Sequence, residues 1–93
     1  MIQGFRDKAT AFVFSGGVPR GMARGLAAIA HRKLAAVDAA WQLETPRSPP
    51  GNRLETARGD RSGYHSIRIN GQWRLVFPWR DDGARAVEIV DCH

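Results

Sequence analysis

Arg74, Asp91 and His93 are the side chains whose types suit the handling of a phosphate. A guanidinium grips phosphate oxygens through two parallel hydrogen bonds. An imidazole with an unperturbed pKa of about 6.5 holds or releases a proton near neutral pH, and a carboxylate can orient it. Strand register is what would gather them. Asn70-Gly71 and Asp82-Gly83 are strong two-residue hairpin signals, because both central positions need φ > 0. Counting outward from the first sets Arg68 against Trp73, Ile67 against Arg74 and His65 against Val76. Counting from the second sets Phe77 against Glu88, Val76 against Ile89 and Arg74 against Asp91, with Gln72 against His93. With a side-chain period of 2, one face of this meander carries His65, Arg74, Asp91 and His93 around Ile67, Val76 and Ile89. The other carries Tyr64, Trp73, Leu75, Phe77, Trp79, Val90 and Cys92 and reads as core. A one-residue slip would scatter the set. A plainer reading stands beside this one: Arg74 and Asp91 as an exposed cross-strand pair worth under about 1 kcal/mol, and His93 as a frayed terminus.

The elements that must hold these strands precede them. Ile2 to Phe5 suits a short first strand, and Asp7 to Phe14 carries Ala9, Phe12 and Val13 at helical spacing until Gly16-Gly17 stops it. From Pro19 to Trp41, Met22, Leu26, Ala30, Leu34, Val37 and Trp41 recur at three- and four-residue steps, the pattern of one buried stripe. Thr45 to Gly51 holds three prolines and reads as a loop. A short strand around Arg53 to Thr56, a turn from Arg58 to Gly63 and the meander follow. The order of strand, helix, helix and four strands predicts a single α+β domain over residues 1–93, with both N-terminal helices on one face of a mainly antiparallel, twisted sheet and the opposite face open.

Fourteen Lys and Arg against nine Asp and Glu give a net charge of +5, and the sequence pI is near 10.7. Such a field favours nucleic acid, an anionic surface or an acidic protein. No apolar run approaches the roughly 20 residues of a membrane span, and the opening residues lack a signal-peptide layout, so the cytoplasm is the expected location and no membrane contact is expected. Cys92, the one cysteine, excludes an intrachain disulfide and a cysteine-rich zinc site.

Gly59-Asp60-Arg61-Ser62-Gly63-Tyr64, the hairpin Ser66 to Leu75 with its Trp73-Arg74 pair, the closing Asp91-Cys92-His93 and the opening Met1 to Lys8 together resemble the HigB-type toxins of the RelE superfamily. The resemblance covers essentially the whole chain. It implies a RelE-like fold and a ribosome-dependent endoribonuclease that cuts messenger RNA in the decoding site. It further implies a mechanism with no metal or other cofactor, in which the substrate's own 2′-hydroxyl is the nucleophile. A HigA-like helix-turn-helix antitoxin would hold the toxin inactive, and operator DNA would be met only through that antitoxin. The family's arginine falls on Arg74, its basic residue before Gly-Asp on Arg58, and its terminal Asp and His on Asp91 and His93. Glu55 stands where relatives commonly carry histidine, and Cys92 where they carry tyrosine.

On that resemblance His93 is the acid or base, Asp91 its orienting carboxylate, Arg74 and Arg58 the phosphate clamp, and Glu55 a second partner for the 2′-hydroxyl. Arg53, Arg61, Arg68 and Arg20 are expected on ribosomal RNA backbone. His65 reads as sheet packing, and His31 with Arg24 as a solvated helix face. Two rival classes remain: a HigB-shaped module that acts by occluding the ribosome or by binding its antitoxin alone, and a duplex-DNA binder favoured only by charge.

Overall fold

The computed structural model describes residues 1–39, 55–56, 64–80 and 83–91. Two helices, α1 (Lys8–Phe14) and α2 (Arg24–Ala39), precede the strands β1 (Glu55–Thr56), β2 (Tyr64–Arg68), β3 (Trp73–Arg80), β4 (Gly83–Ala84) and β5 (Glu88–Asp91).

Asp7 starts α1: in extended conformation, its Oδ1 accepts the Thr10 N–H at 2.7 Å and satisfies one of the first-turn donors. Gly16, at φ +100°, ends it. The N–H of Gly17 reaches Phe12 O at 2.8 Å and that of Gly16 reaches Val13 O at 3.0 Å, the paired bonds of a left-handed helix stop. The periodic segment read from Pro19 becomes helical only at Arg24. Gly21 turns to φ +86° and Met22 N–H closes a turn on Pro19 O at 3.0 Å, so the first residues are spent on a reversal. From there the expected stripe is buried: Ala27, Ala30, Leu34 and Val37 face inward, with Met22 and Leu26 partly buried beside them.

The sheet runs β1-β2-β3-β4, with β5 also on β3, and every strand pair is antiparallel. The N-terminal segment adds two parallel bridges, Ile2 to Ala84 and Phe5 to Val87, in place of a full first strand. Ile2 N–H donates to Asp38 Oδ1 at 3.0 Å, tying that segment to the end of α2. Thr10 is buried, and its Oγ1 accepts the Ile89 N–H at 3.1 Å, tying α1 to β5. Both helices thus lie on one face of the sheet. Val13, Ala30, Leu34, Val37, Ile67, Ile69, Leu75, Phe77, Ala84 and Val87 make one core beneath them. No helix among the described residues is long and apolar enough to cross a membrane.

Candidate active site

The face turned away from the helices is built on β3, through Arg74, Val76, Pro78 and Arg80. To it β2 adds Tyr64, Ser66 and Arg68, and β5 adds Glu88 and Val90. One cross-strand row is Arg68, Arg74, Val90. The next is Ser66, Val76, Glu88, with Glu55 of β1 at the register position across from Ser66.

This register corrects the one counted from the turn dipeptides by a single residue on each side of β3. Arg68 pairs with Arg74, not Trp73, and Arg74 pairs with Val90, not Asp91. At the first hairpin, Ile69 N–H bonds Trp73 O at 2.9 Å, so the loop is three residues, Asn70-Gly71-Gln72. The Asn70 side chain explains it: its Oδ1 accepts the N–H groups of Gln72 and Trp73, both at 2.8 Å, standing in for a backbone acceptor. At the second hairpin, Arg80 pairs with Gly83, leaving residues 81 and 82 between them rather than Asp82-Gly83. An extra residue then enters at Arg85-Ala86, where Ala86 takes φ +45° and splits the expected last strand into β4 and β5.

The consequences follow face by face. Arg74 and Val76 keep the side turned away from α1 and α2, and Trp73, Leu75, Phe77 and Trp79 the helix side, as β3's own alternation implied. His65, Ile67, Ile89 and Asp91 move to the helix side, and Tyr64 and Val90 leave it. His65 packs near Phe77, ring centroids 6.2 Å apart, in keeping with its reading as sheet packing. His31 is more than a solvated residue, since its Nδ1 lies 3.0 Å from Val13 O and joins the two helices.

Arg74 is half-buried on the central strand, and its Nη1 is shut off from solvent. Arg68, also half-buried, donates from Nε to Asn70 O at 3.2 Å. Asp91 is exposed at the end of β5 opposite Trp73, and the Gln72 amide donates to its Oδ2 at 3.2 Å. Arg74 and Asp91 therefore occupy adjacent rows at the hairpin end of the sheet, on opposite sides of the pleat. Glu88, 15 % exposed at its side chain, meets Arg6 at 3.7 Å. Arg20 is exposed in the turn between the helices. Arg53, Arg58, Arg61, Cys92 and His93 lie outside the described residues, and Glu55 is described by its backbone alone.

The helical layer holds a cleft of about 370 Å³ between the end of α1 and α2, lined by Gly16, Gly17, Val18, Arg24, Ala27, Ala28 and His31. Its lining contains none of the sheet residues, so it is separate from the Arg74 face. On α2, burial first and Arg32 second lower the pKa of Lys33. Among the described residues no group of three His, Cys, Asp or Glu is placed to hold a metal.

Residues 3–93 match the family model described as the RelE-like toxin of type II toxin-antitoxin system HigB. The chain belongs to the HigB-like toxin family. It is 30 % identical over 94 residues to Endoribonuclease HigB of Proteus vulgaris, covering 100 % of both chains. It is 50 % identical over 50 residues to Toxin HigB-1 of Vibrio cholerae serotype O1, a stretch that is 54 % of this chain and spans only 53 % of that toxin. In this HigB-like toxin, Trp73 and Arg74 are consecutive on the central strand, one facing the helices and the other away from them. The proximity of Arg68 to Arg74 and the Gln72 to Asp91 bond were not foreseen. The available signal was Asn70 itself, whose short amide competes for the turn's N–H groups wherever a three-residue loop leaves them reachable.

Proposed function

We propose that this HigB-like toxin is a metal-independent endoribonuclease that cuts messenger RNA in the decoding site of a translating ribosome. The observation that carries the reading is Arg74: a guanidinium on the central strand, on the face turned away from α1 and α2, with one amino group already withdrawn from water. Such a donor needs little reorganisation when charge builds on a phosphate. The full-length likeness to a relative named an endoribonuclease supports the same reaction class.

In the reaction, the 2′-hydroxyl gives up its proton as its oxygen attacks the adjacent phosphorus. The bond to the 5′-oxygen breaks, and that oxygen takes a proton. The products are a 2′,3′-cyclic phosphate and a 5′-hydroxyl. Arg74 and Arg58 stabilise the pentacoordinate phosphate, His93 moves a proton, and Asp91 orients His93. Glu55 is the second partner for the 2′-hydroxyl. A glutamate ionises at about 4.3 and is a weak base at neutral pH, so cleavage is slower than in a relative with histidine there. Arg53, Arg61 and Arg20 meet ribosomal RNA backbone. A HigA-like helix-turn-helix antitoxin holds the toxin in check in the cytoplasm and brings it to operator DNA.

Mapping messenger RNA 5′ ends in a translating extract tests the reading, with toxin stripped by EDTA and exchanged into buffer beforehand. New 5′-hydroxyl ends inside translated frames are expected, and none when initiation is blocked. Arrest of translation without new ends would establish occlusion instead, the reading that Glu55 in place of histidine favours. Removal of His93 alone should abolish cleavage while leaving antitoxin binding intact; undiminished cleavage would take His93 out of the mechanism.

A further inference from the structure

The β2–β3 register puts Tyr64, the one tyrosine of the chain, on the face of Arg74 and not on the core face that the turn dipeptides implied. The ring of Phe77 has neighbours on the core face, Trp79 and His65, with centroids 6.4 and 6.2 Å away. Tyr64 differs. It is half-buried, and among the described residues no ring packs on it and no hydrogen bond holds its hydroxyl. Its cross-strand partner is Pro78, also half-buried, so the two form an apolar patch. Cations stand at both ends of that patch. Along β3 the same face presents Arg74 opposite Arg68, Val76 opposite Ser66, Pro78 opposite Tyr64, and then the exposed Arg80. At about 3.3 Å of rise per residue, the Tyr64–Pro78 row is about 13 Å along the strand from Arg74. Neither β2 nor β3 adds an acid to this lane. Glu88 and the backbone position of Glu55 flank it at the Val76 row, and Glu88 meets Arg6 at 3.7 Å.

We infer that Tyr64, backed by Pro78, is a stacking platform for a messenger RNA base close to the scissile phosphate, and so a substrate-binding residue of the same site. The inference rests on the endoribonuclease reading for the identity of that RNA. Proteins that hold single strands combine these parts: guanidiniums follow the phosphates, and an aromatic ring between them takes a base on its face. Every base has such a face, so the platform holds the strand in place without reading its sequence. Two rows from the reacting atoms, the stack is the same before and during cleavage. It therefore strengthens binding and leaves the rate of the bound complex alone.

Ribosomes programmed with a short messenger RNA test this by two readouts: single-turnover cleavage at rising toxin concentration, and equilibrium binding to the same RNA with 2′-deoxyribose at the mapped cut. Tyr64→Leu should raise the half-saturating concentration and the dissociation constant by about 5- to 150-fold, the worth of one base–aromatic stack. The maximal rate should stay within about threefold of wild type. Tyr64→Phe and Tyr64→Trp keep a ring and should bind within about threefold of wild type. A Phe variant as weak as the Leu variant would assign the effect to the hydroxyl and overturn the inference, as would wild-type binding by Tyr64→Leu. Abasic nucleotides placed one at a time around the cut give the converse on unaltered protein. At one position wild type should lose as much affinity as Tyr64→Leu does, and there the Leu variant should lose no more. No sensitive position, or losses that multiply, would make Tyr64 a packing residue of the sheet and overturn the inference. If Tyr64→Leu fails to fold, a photocross-link from 5-bromouridine at the sensitive position to the wild-type toxin decides: a link at Tyr64 supports the platform and a link elsewhere overturns it. Wild type that binds but leaves intact messenger RNA uncut would end the endoribonuclease reading, while binding and cross-linking on that RNA still decide the platform.

Discussion

Arg74 and Leu75 are chain neighbours on β3, yet they belong to different parts of the molecule. Leu75 is fully buried under the helices, with Ile67 and Ile89 opposite it on the flanking strands. Arg74 is on the other side of the pleat between Arg68 and Val90, half-exposed and charged. The two faces differ: the side under α1 and α2 carries most of the described apolar core, and the other side carries Arg68, Arg74 and Arg80 beside the buried Val76. A pleated strand does this with no added machinery, since its side chains alternate by construction.

Truncation on the two sides should therefore fail in opposite ways. Leu75→Ala should cost about 2–5 kcal/mol of folding stability through lost burial and the cavity left behind, a large part of the roughly 5–15 kcal/mol of a small domain. Urea unfolding reads it directly, and whatever fraction stays folded should still cleave. A loss below about 1 kcal/mol would mean the core closes over the gap and would weaken the division between faces.

Arg74→Ala should lower cleavage about a hundredfold or more, equivalent to roughly 2.7 kcal/mol of transition-state stabilisation, while shifting stability by under about 1 kcal/mol. Parallel urea curves and cleavage assays separate the two effects. Near wild-type cleavage would remove Arg74 from the chemistry, and unfolding would move it into the structural half of the comparison.

The same division explains which features were legible in the sequence. The helices were, because the α2 stripe repeats at helical spacing over several turns and Asp7 and Gly16 mark the ends of α1 with their own local chemistry. Within β3 the alternation of Trp73, Leu75, Phe77 and Trp79 against Arg74 and Val76 was equally plain. The partners of β3 were not. Register depends on single residues in the turns, and here an Asn70 side chain and an extra residue at Ala86 each moved a strand by one. Of the candidate site, the sequence reading set Arg74 and Asp91 on one face, whereas the face on which Asp91 sits and the pairing of Arg68 with Arg74 hinged on those two details.

A smaller effect tests how firmly the helical layer holds the edge of the sheet. Thr10→Val keeps the volume but removes the Oγ1 acceptor of Ile89 N–H, a 3.1 Å bond from α1 to β5. The cost should be about 1 kcal/mol, the usual net worth of such a bond with a part-buried donor left unmet. Thr10→Ser should recover most of the bond. Hydrogen exchange at the Ile89 amide gives a local readout: it should accelerate in the Val variant and not in the Ser one. Equal exchange in both would show that the bond contributes nothing to the docking of β5.

The smallest expected effect falls on the residue that sets the β5 register. Ala86 is the sole described non-glycine residue with positive φ, at +45°. For an L-residue this region costs roughly 1–2 kcal/mol because Cβ crowds the following carbonyl. Glycine removes that crowding but brings a more flexible unfolded chain, a loss of about 0.5–1 kcal/mol. Ala86→Gly should thus range from neutral to about 1 kcal/mol more stable. Ala86→Val, β-branched where φ is positive, should be clearly less stable than the parent. If the extra residue at Arg85-Ala86 were absent, β5 would shift by one position, Asp91 would face the same side as Arg74, and both substitutions would behave as ordinary strand changes, with Val favoured over Gly. The order Gly, Ala, Val in unfolding free energy therefore reports the register itself: the bulge makes Gly the most stable of the three, and a regular strand reverses the order.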